Sequence, residues 1–254
     1  KSKECTPYHN NDIWIDVETL AKEVVSRLQK KLHPVQIESK SYPVILENKM
    51  VISLLNAFTS MFSSEAALRN MTLLKGKEGE KIASDLITLV DDPLYEKGVF
   101  QHSFDNQGVA CYKKNLIEKG VFQTLLYDLK TAKMFNTKPT GNSFSGISPT
   151  NLCLECGSTS LEDMASTIKD GLLITSLQGL HSGLNPVSGD FSAQASGFRI
   201  EQGKITYPVS LIVVSGNFLK LLQDVVIVGN DEFISYNGVS APSIKVRELS
   251  ISGK

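Results

Sequence analysis

The last quarter of the sequence contains two long strand-forming segments with a short turn between them. Phe191–Ile200 and Ile205–Ser215 are joined by Glu201-Gln202-Gly203-Lys204, a polar turn signal. Further strands are predicted at Tyr42–Leu46, Leu86–Val90, Asn151–Glu155, Leu172–Leu177, Val225–Val228 and Ser243–Ile251. Strands outnumber helices and follow one another in runs, which favours an α+β fold over a doubly wound one. We therefore predict a large, mostly antiparallel, barrel-like sheet with a few flanking helices.

Helices are predicted where apolar residues recur at helical spacing. Asp16 is a suitable N-cap for the first helix and Ser160 for the third, and Gly171 is expected to end the third in a left-handed conformation. Between residues 93 and 126, short apolar segments and turn signals predict a hairpin-rich region. The predicted helices are Val17–Lys31, Asn48 to about Ser63, Leu161–Asp170 and Phe218–Gln223.

Composition excludes several classes of function. The 254 residues include 26 Lys and Arg against 27 Asp and Glu, giving a formal charge of −1. Proteins that bind nucleic acid through its phosphates carry a basic face, so direct nucleic-acid binding is not expected. Apolar runs are strand-sized, which predicts no membrane span. Four scattered cysteines favour a reducing cytoplasm over a disulfide framework, and nucleotide-loop and serine-hydrolase motifs are missing.

The local cysteine and histidine patterns are weak indications of chemistry. Cys153 and Cys156 form an isolated CxxC, and strand alternation predicts that the two thiols lie on opposite faces. The four histidines, which include His9 and His33, form no closely spaced zinc-ligand pair. His102 is placed in a strand next to phenylalanines, and His181 in a Gly-rich loop where either function or an ordinary turn is open.

Polar residues at predicted strand ends and in one loop are candidates for lining a cleft. Asp91, Asp92 and Asp105 could serve as acids there, although each also fits ordinary turn chemistry. The segment from Lys138 to Thr150 offers many hydrogen-bonding groups, and it fits either a polar cleft or a long surface loop. The candidates from these regions are Asp105, Thr140, Gly141, Asn142 and Asn151, together with His181.

Many short motifs, in order, resemble the TldD/PmbA family, whose members are called modulators of DNA gyrase. The resemblance covers about the last four-fifths of the chain. It implies a C-terminal domain at residues 41–254, with residues 1–40 as the tail of an N-terminal domain or a linker helix. The matching motifs are Leu86–Pro93, Phe104–Val109, Leu116–Gly120, Thr140–Asn142, Pro149–Asn151, Gly189–Phe191, Ile227–Asp231 and Ser252–Lys254.

The family's catalytic branch carries His-Glu-x-x-x-His on a helix, which supplies two zinc ligands and a base for the attacking water. The matching positions here are Asn56, Ala57 and Met61, and the further cysteine ligand would fall around 235–238, where there is no cysteine. An amide, a methyl and a thioether are a poor zinc-binding set. The chain is therefore similar to the PmbA (TldE-type) branch, with no catalytic or metal-ligating residue of its own.

The resemblance implies a peptidase system that acts on extended peptides, such as antibiotic precursors and an antitoxin. In that system we expect this chain to supply cavity wall and dimer interface, while a TldD-type partner holds the zinc. Any connection to gyrase would then be indirect. Two alternatives stay open: a metallopeptidase in its own right with ligands such as His102, His181 or Asp105, or a homodimer that binds peptide without hydrolysis.

Overall fold

Five strands close into a barrel in the computed structural model, which describes residues 16–254. The strands of this sheet are β1 (Lys40–Leu46), β6 (Asp170–Gln178), β7 (Asp190–Glu201), β8 (Lys204–Asn217), β9 (Val225–Val228) and β12 (Ile244–Ser252). Their order is β1-β6-β7-β8-β12-β9, and β12 pairs back to β1, so that β9 extends the sheet outside the closed ring. Within the described chain, only β1 and β6 pair in parallel in this sheet.

A second sheet contains the shorter strands. They are β2 (Leu89–Asp91), β3 (Lys114–Glu118), β4 (Val121–Phe122), β5 (Leu152–Leu154), β10 (Phe233–Ile234) and β11 (Val239–Ala241). Their order is β10-β11-β5-β2-β3-β4, with β11 and β5 parallel and the other pairs antiparallel. The predicted α+β class with a mostly antiparallel, barrel-like sheet is confirmed, although the strands divide into two sheets.

The long hairpin of β7 and β8 forms as the sequence predicts. Glu201 pairs with Lys204, and the two residues between them, Gln202 and Gly203, have φ of 50° and 78°. A two-residue turn with both central residues at positive φ matches the right-handed twist of the strands it joins. The hairpin therefore sets the register of the two longest barrel strands.

Six α-helices lie within residues 16–254: α1 (Val17–Lys30), α2 (Asn48–Phe58), α3 (Ser64–Leu68), α4 (Leu129–Met134), α5 (Leu161–Ser166) and α6 (Phe218–Gln223). The Asp16 carboxylate caps α1 by accepting from the backbone N–H groups of Glu18 and Thr19, both at 3.1 Å. The Ser160 hydroxyl caps α5 through Asp163 N. Helix α2 continues as a short 3-10 helix, Thr59–Phe62. No helix in this part of the chain is long and apolar enough to cross a bilayer.

Two predictions of local structure are wrong, and a third holds only in part. Gly171 does not end a helix, because α5 stops at Ser166 and Gly171 lies in β6, where a Cβ would come within 2.5 Å of the Pro43 carbonyl oxygen. His102 lies outside any strand. Between residues 93 and 126 the described hairpins are β3–β4 and a turn closed by one bridge between Phe104 and Ala110, so this region is mostly loop.

Helix α2 lies between the two sheets, in contact with β6 of the barrel and β11 of the second sheet. Its Phe58 ring stacks on Phe218 of α6 at 4.6 Å between centroids and meets the edge of Phe191 of β7 at 6.4 Å. Phe58 is fully buried, so these rings join the barrel to the helix in one continuous core. The core thereby fixes the direction in which the other face of α2 points.

Candidate binding groove

The N-terminus of helix α2 is held by the segment that follows β9. Asn48 donates its backbone N–H to Ser243 Oγ at 3.0 Å and its side-chain amide to the Asp231 carbonyl at 2.9 Å. The Asp231 carboxylate accepts from Ser243 N at 2.9 Å and from Ser243 Oγ at 2.6 Å. These bonds fix α2 against the second sheet, with its C-terminal end next to the loop 235–238 that joins β10 to β11.

A cavity of about 460 Å³ lies between the end of α2 and the second sheet. Helix α2 contributes Asn56, and the 3-10 helix contributes Thr59. The opposite wall comes from two loops, which supply Phe100, His102 and Phe144. We call this space the first cavity. Its size is within the range of small-molecule and side-chain binding sites.

A second cavity of about 300 Å³ adjoins the first, and both are lined by Asn56 and Asn237. Lys49 and Phe233 line the second cavity, and the Lys49 ammonium lies 4.7 Å from the centre of the Phe233 ring. Ser235 Oγ donates to Asn237 Oδ1. We refer to the two cavities together as the groove. Asn56 and Asn237 stand where the cavities meet.

Gly238 lets the loop 235–238 approach the first cavity closely. Its φ is 78°, and a Cβ there would lie 2.6 Å from the Thr150 carbonyl oxygen and 2.8 Å from the Phe100 ring. A side chain at this position would therefore clash with both walls, in a backbone conformation that disfavours it. The loop 235–238 can therefore approach Phe100 this closely only because residue 238 is a glycine.

The three positions that the resemblance matches to the zinc-peptidase motif have different surroundings. Asn56 lines both cavities, and no described residue hydrogen-bonds its side-chain amide. Ala57 packs partly buried against the core, and Met61 is 0 % exposed within that core. The other residue of this stretch that lines the first cavity is Thr59, which the motif comparison did not single out. Its hydroxyl donates to the Leu55 carbonyl at 2.8 Å.

These residues do not fit a zinc ion. Asn56 offers an amide, Ala57 offers no ligand, and Met61 is enclosed by apolar side chains. The loop 235–238 adds a serine, a tyrosine, an asparagine and a glycine in place of a cysteine. Within residues 16–254, no three His, Cys, Asp or Glu side chains are grouped so that they could hold a metal ion. The positions that match the zinc site of the catalytic branch therefore lack both its ligands and its base.

A buried polar cluster lies behind the first cavity, centred on Asp91 at the end of β2. The Asp91 carboxylate is 0 % exposed and accepts from Lys114 Nζ at 3.0 Å, Asn142 Nδ2 at 2.6 Å and Thr150 N at 2.7 Å. Asp91 lies in a strand, and its neighbour Asp92, which precedes Pro93, caps the turn through Leu94 N at 3.1 Å, in agreement with the predicted turn chemistry. The Asp91 cluster connects β2, β3 and the loop 142–150.

The other polar candidates also make bonds within the fold. Asp105 is 3 % exposed, and its carboxylate accepts backbone N–H bonds from Gln107, Val109 and Ser143 at 2.9 to 3.0 Å. Thr140 Oγ1 accepts from the Tyr127 N–H at 2.8 Å. These contacts hold loops in place, and neither side chain lines the groove.

Gly141 and Asn151 hold neighbouring loops together. Gly141 has φ of 71°, and a Cβ there would lie 2.5 Å from the Ala110 carbonyl oxygen. Asn151 donates to the carbonyls of Asp92 and Phe100, both at 2.8 Å, and accepts from Phe100 N at 3.1 Å. Asn151 thereby sets the position of the Phe100 wall without lining the cavity itself.

The two candidate histidines are placed differently. His102 lines the first cavity, with its ring 4.8 Å from the Phe144 ring and 6.2 Å from the Phe100 ring. His181 is exposed in the loop that joins β6 to β7, away from the groove. His9 and Cys5 lie outside the described residues. The sequence analysis did not predict that Phe100 and Phe144 line a cavity beside His102. The sequence signal that could have indicated it is Phe144, a phenylalanine inside an otherwise polar loop.

Cys153 and Cys156 lie in one pocket, so the prediction of opposite faces is wrong. Strand β5 ends at Leu154, and strand alternation therefore does not extend to Cys156. Both thiols are free. Burial raises the pKa of Cys153 to about 11 and also raises the pKa of Cys156. Thiols held in the protonated form are weak nucleophiles, so this pocket lacks the features of a redox site.

Comparison with known proteins connects this sequence and fold to one family. Residues 39–253 match the PmbA/TldA metallopeptidase C-terminal domain. The chain is 30% identical over 244 residues to the metalloprotease PmbA homolog of Haemophilus influenzae, covering 95% of this chain and 51% of that protein. It is 28% identical to the metalloprotease PmbA of Escherichia coli O157:H7, covering 93% of this chain and 51% of that protein. The chain thus spans about half the length of these relatives.

Solved structures agree with the sequence matches. TldE from Thermococcus kodakarensis superposes with a TM-score of 0.86 at 32% identity, covering 94% of this chain and 56% of that chain. A candidate modulator of a DNA gyrase from Thermotoga maritima superposes with a TM-score of 0.90 at 37% identity, covering 94% of this chain and 56% of that chain.

Proposed function

This chain belongs to the PmbA/TldD metallopeptidase family, and we propose that it is part of a non-catalytic subunit of a zinc peptidase complex. In this proposal the zinc and the base that activates water belong to a TldD-type partner subunit. The present chain supplies a wall of the peptide-binding cavity and part of the interface between the subunits. The substrate is an extended peptide, which backbone hydrogen bonds can hold with little demand on sequence.

The position of Asn56 and Met61 carries the proposal. Asn56 faces the groove with an amide, while Met61 is fully buried in the core. An amide and a buried thioether are both poor ligands for zinc. The groove itself is open and lined with both polar and apolar groups, which suits a peptide. This combination supports a binding role in a peptidase system more than catalysis by this chain.

The test is reconstitution with a family member that retains His-Glu-x-x-x-His. The protein is purified alone, and its zinc content and cleavage of a fluorogenic unfolded polypeptide are measured. We expect substoichiometric zinc and no cleavage alone, and cleavage when the two proteins are mixed. The matched control is a partner whose first motif histidine is replaced by alanine, which should abolish cleavage by the mixture.

Two results would contradict the proposal. One is stoichiometric zinc together with metal-dependent cleavage by this protein alone. The other is a partner whose rate of cleavage and state of association do not change when this protein is added. A protein that binds peptide as a homodimer and never associates with the partner would give the second result, so the experiment also separates that alternative.

A further inference from the structure

The wall of the first cavity opposite Asn56 is built from aromatic rings. The His102 ring lies between two phenylalanines, 6.2 Å from Phe100 with an interplanar angle of 17°, and 4.8 Å from Phe144 with an angle of 38°. All three residues line the cavity. An aromatic wall of this kind favours a further ring, because aromatic pairs contribute beyond the burial of apolar area.

The described residues that line the first cavity include no Asp, Glu, Lys or Arg. The second cavity differs, because Lys49 lines it. Moving an ionised side chain from water into a site without an opposite charge is unfavourable. The first cavity therefore favours an uncharged occupant.

Asn56 provides a polar contact at the junction of the two cavities. Its side-chain amide offers donors and an acceptor, and it makes no hydrogen bond to the described residues. A peptide backbone carries the same complementary pair, one N–H and one C=O per residue. An extended peptide that crosses the junction can therefore bond to Asn56 through its backbone while one side chain enters the first cavity.

We propose that the first cavity is a subsite for an uncharged aromatic side chain of a bound peptide, with Asn56 holding the backbone next to it. The volume of about 460 Å³ leaves room for a ring the size of a tyrosine or tryptophan side chain. That the occupant is part of a peptide rests on the proposed function, whereas the preference for a neutral aromatic group rests on the cavity alone.

The experiment compares four blocked tripeptides, acetyl-glycyl-X-glycine amides with X as tyrosine, leucine, lysine or glutamate. Binding to the full-length protein is measured without a partner subunit, by titration with saturation-transfer NMR. We expect the tyrosine peptide to bind at least about fivefold more tightly than the lysine and glutamate peptides. Leucine should fall between them, because it is apolar but has no ring.

Two kinds of variant separate the side-chain contact from the backbone contact. Phe144→Ala should reduce the preference for tyrosine by about three- to tenfold, and Phe144→Leu, which keeps an apolar side chain, should reduce the preference for tyrosine over leucine. Asn56→Ala should weaken all four peptides by a similar factor of about three. Phe104→Ala is the matched control, since Phe104 is 67 % exposed and lines a different cavity.

Three outcomes would overturn the inference. They are equal or tighter binding of the charged peptides, an unchanged tyrosine preference in both Phe144 variants, and the lack of binding by all four peptides. The measurement needs no partner, so it can fail while reconstituted cleavage still succeeds. Conversely, selective binding of the tyrosine peptide without any effect on a partner would contradict the proposed function and leave the subsite in place.

Discussion

The Asp91 cluster and the groove around Asn56 lie on the same sheet, yet their polar side chains have different partners. In the cluster, one carboxylate accepts from an ammonium, an amide and a backbone N–H, all from the chain itself. In the groove, the Asn56 amide faces open space without a described partner. The two regions meet at Thr150, whose backbone N–H bonds to Asp91 in the cluster and which also lines the first cavity.

This difference separates residues that build the fold from residues that are available to a ligand. Buried polar groups are normally paired, because an unpaired one loses its bonds to water without replacement. A polar group at a cavity surface can keep its bonds to water until a ligand replaces them. Substitutions should therefore act on stability in the cluster and on binding in the groove.

The largest effect is expected from Asp91→Ala. This change leaves the Lys114 ammonium buried without its counter-charge and the Thr150 N–H without an acceptor, while the Asn142 amide keeps only its bond to the Ser148 carbonyl. Removing one partner of a buried ion pair costs about 3 to 5 kcal/mol. We expect the free energy of unfolding, measured by chemical denaturation, to fall by that amount.

Asp85→Ala is the matched control for this measurement. Asp85 also pairs with a lysine, Lys81, at 2.8 Å, but both side chains are mostly exposed. Exposed ion pairs contribute about 0 to 1 kcal/mol, so the control should change stability little. If the two variants lost similar stability, the buried Asp91 carboxylate would contribute no more to stability than an exposed ion pair does.

Much of the fold could be predicted because it depends on local patterns. The β7–β8 hairpin follows from its turn residues, helix α6 from its short apolar segment, and the cap of α1 from Asp16. The closure of the barrel depends on pairing of β1 with β12, about 200 residues apart in sequence. Strand patterns can suggest such a closure but do not specify which strands meet.

The site was harder to predict, because turn-forming residues and cleft-lining residues have the same chemistry. Asp105, Thr140 and Asn151 are polar residues next to glycine or proline-rich segments, as functional loops often are, and each is bonded inside the fold. Asn56 and Phe144 line the groove because distant segments come together there, which no local spacing records. The sequence analysis singled out Asn56 only because it matches the first histidine of the zinc-binding motif, although an asparagine is a poor zinc ligand.

The next prediction compares two positions of that motif. Met61→His places an imidazole in an apolar core where no partner is available to its ring nitrogens, and we expect a loss of about 1 to 3 kcal/mol in the free energy of unfolding. Asn56→His places the same ring at the groove surface, where surface substitutions usually change stability by less than about 0.5 kcal/mol. Denaturation of the two variants measures this difference directly.

The combined variant Asn56→His with Met61→His extends that comparison to zinc. Because one ring would face the groove and the other the core, we expect no tighter zinc binding than in the Asn56→His variant alone. Zinc affinity can be measured by competition with a chromogenic chelator. A stable double variant with much higher zinc affinity would mean that both imidazoles can reach one zinc ion, contrary to the expectation from the burial of Met61.

The smallest changes in the free energy of unfolding are expected for two buried threonines near the boundary between the cluster and the groove, and there the sign of the change is informative. Thr140 and Thr150 are both buried, but Thr140 Oγ1 accepts from Tyr127 N at 2.8 Å, whereas Thr150 Oγ1 has no hydrogen-bond partner among the described residues. Thr140→Val should destabilise the protein by about 1 to 2 kcal/mol, because a buried N–H loses its acceptor. Thr150→Val keeps the shape and removes a hydroxyl that makes no such bond, so stability should stay within about 0.5 kcal/mol or rise. Equal losses of stability in the two valine variants would show that the Thr150 hydroxyl has a hydrogen-bond partner in solution. Thr150 would then belong to the residues that stabilise the fold, and not to those that are available to a ligand.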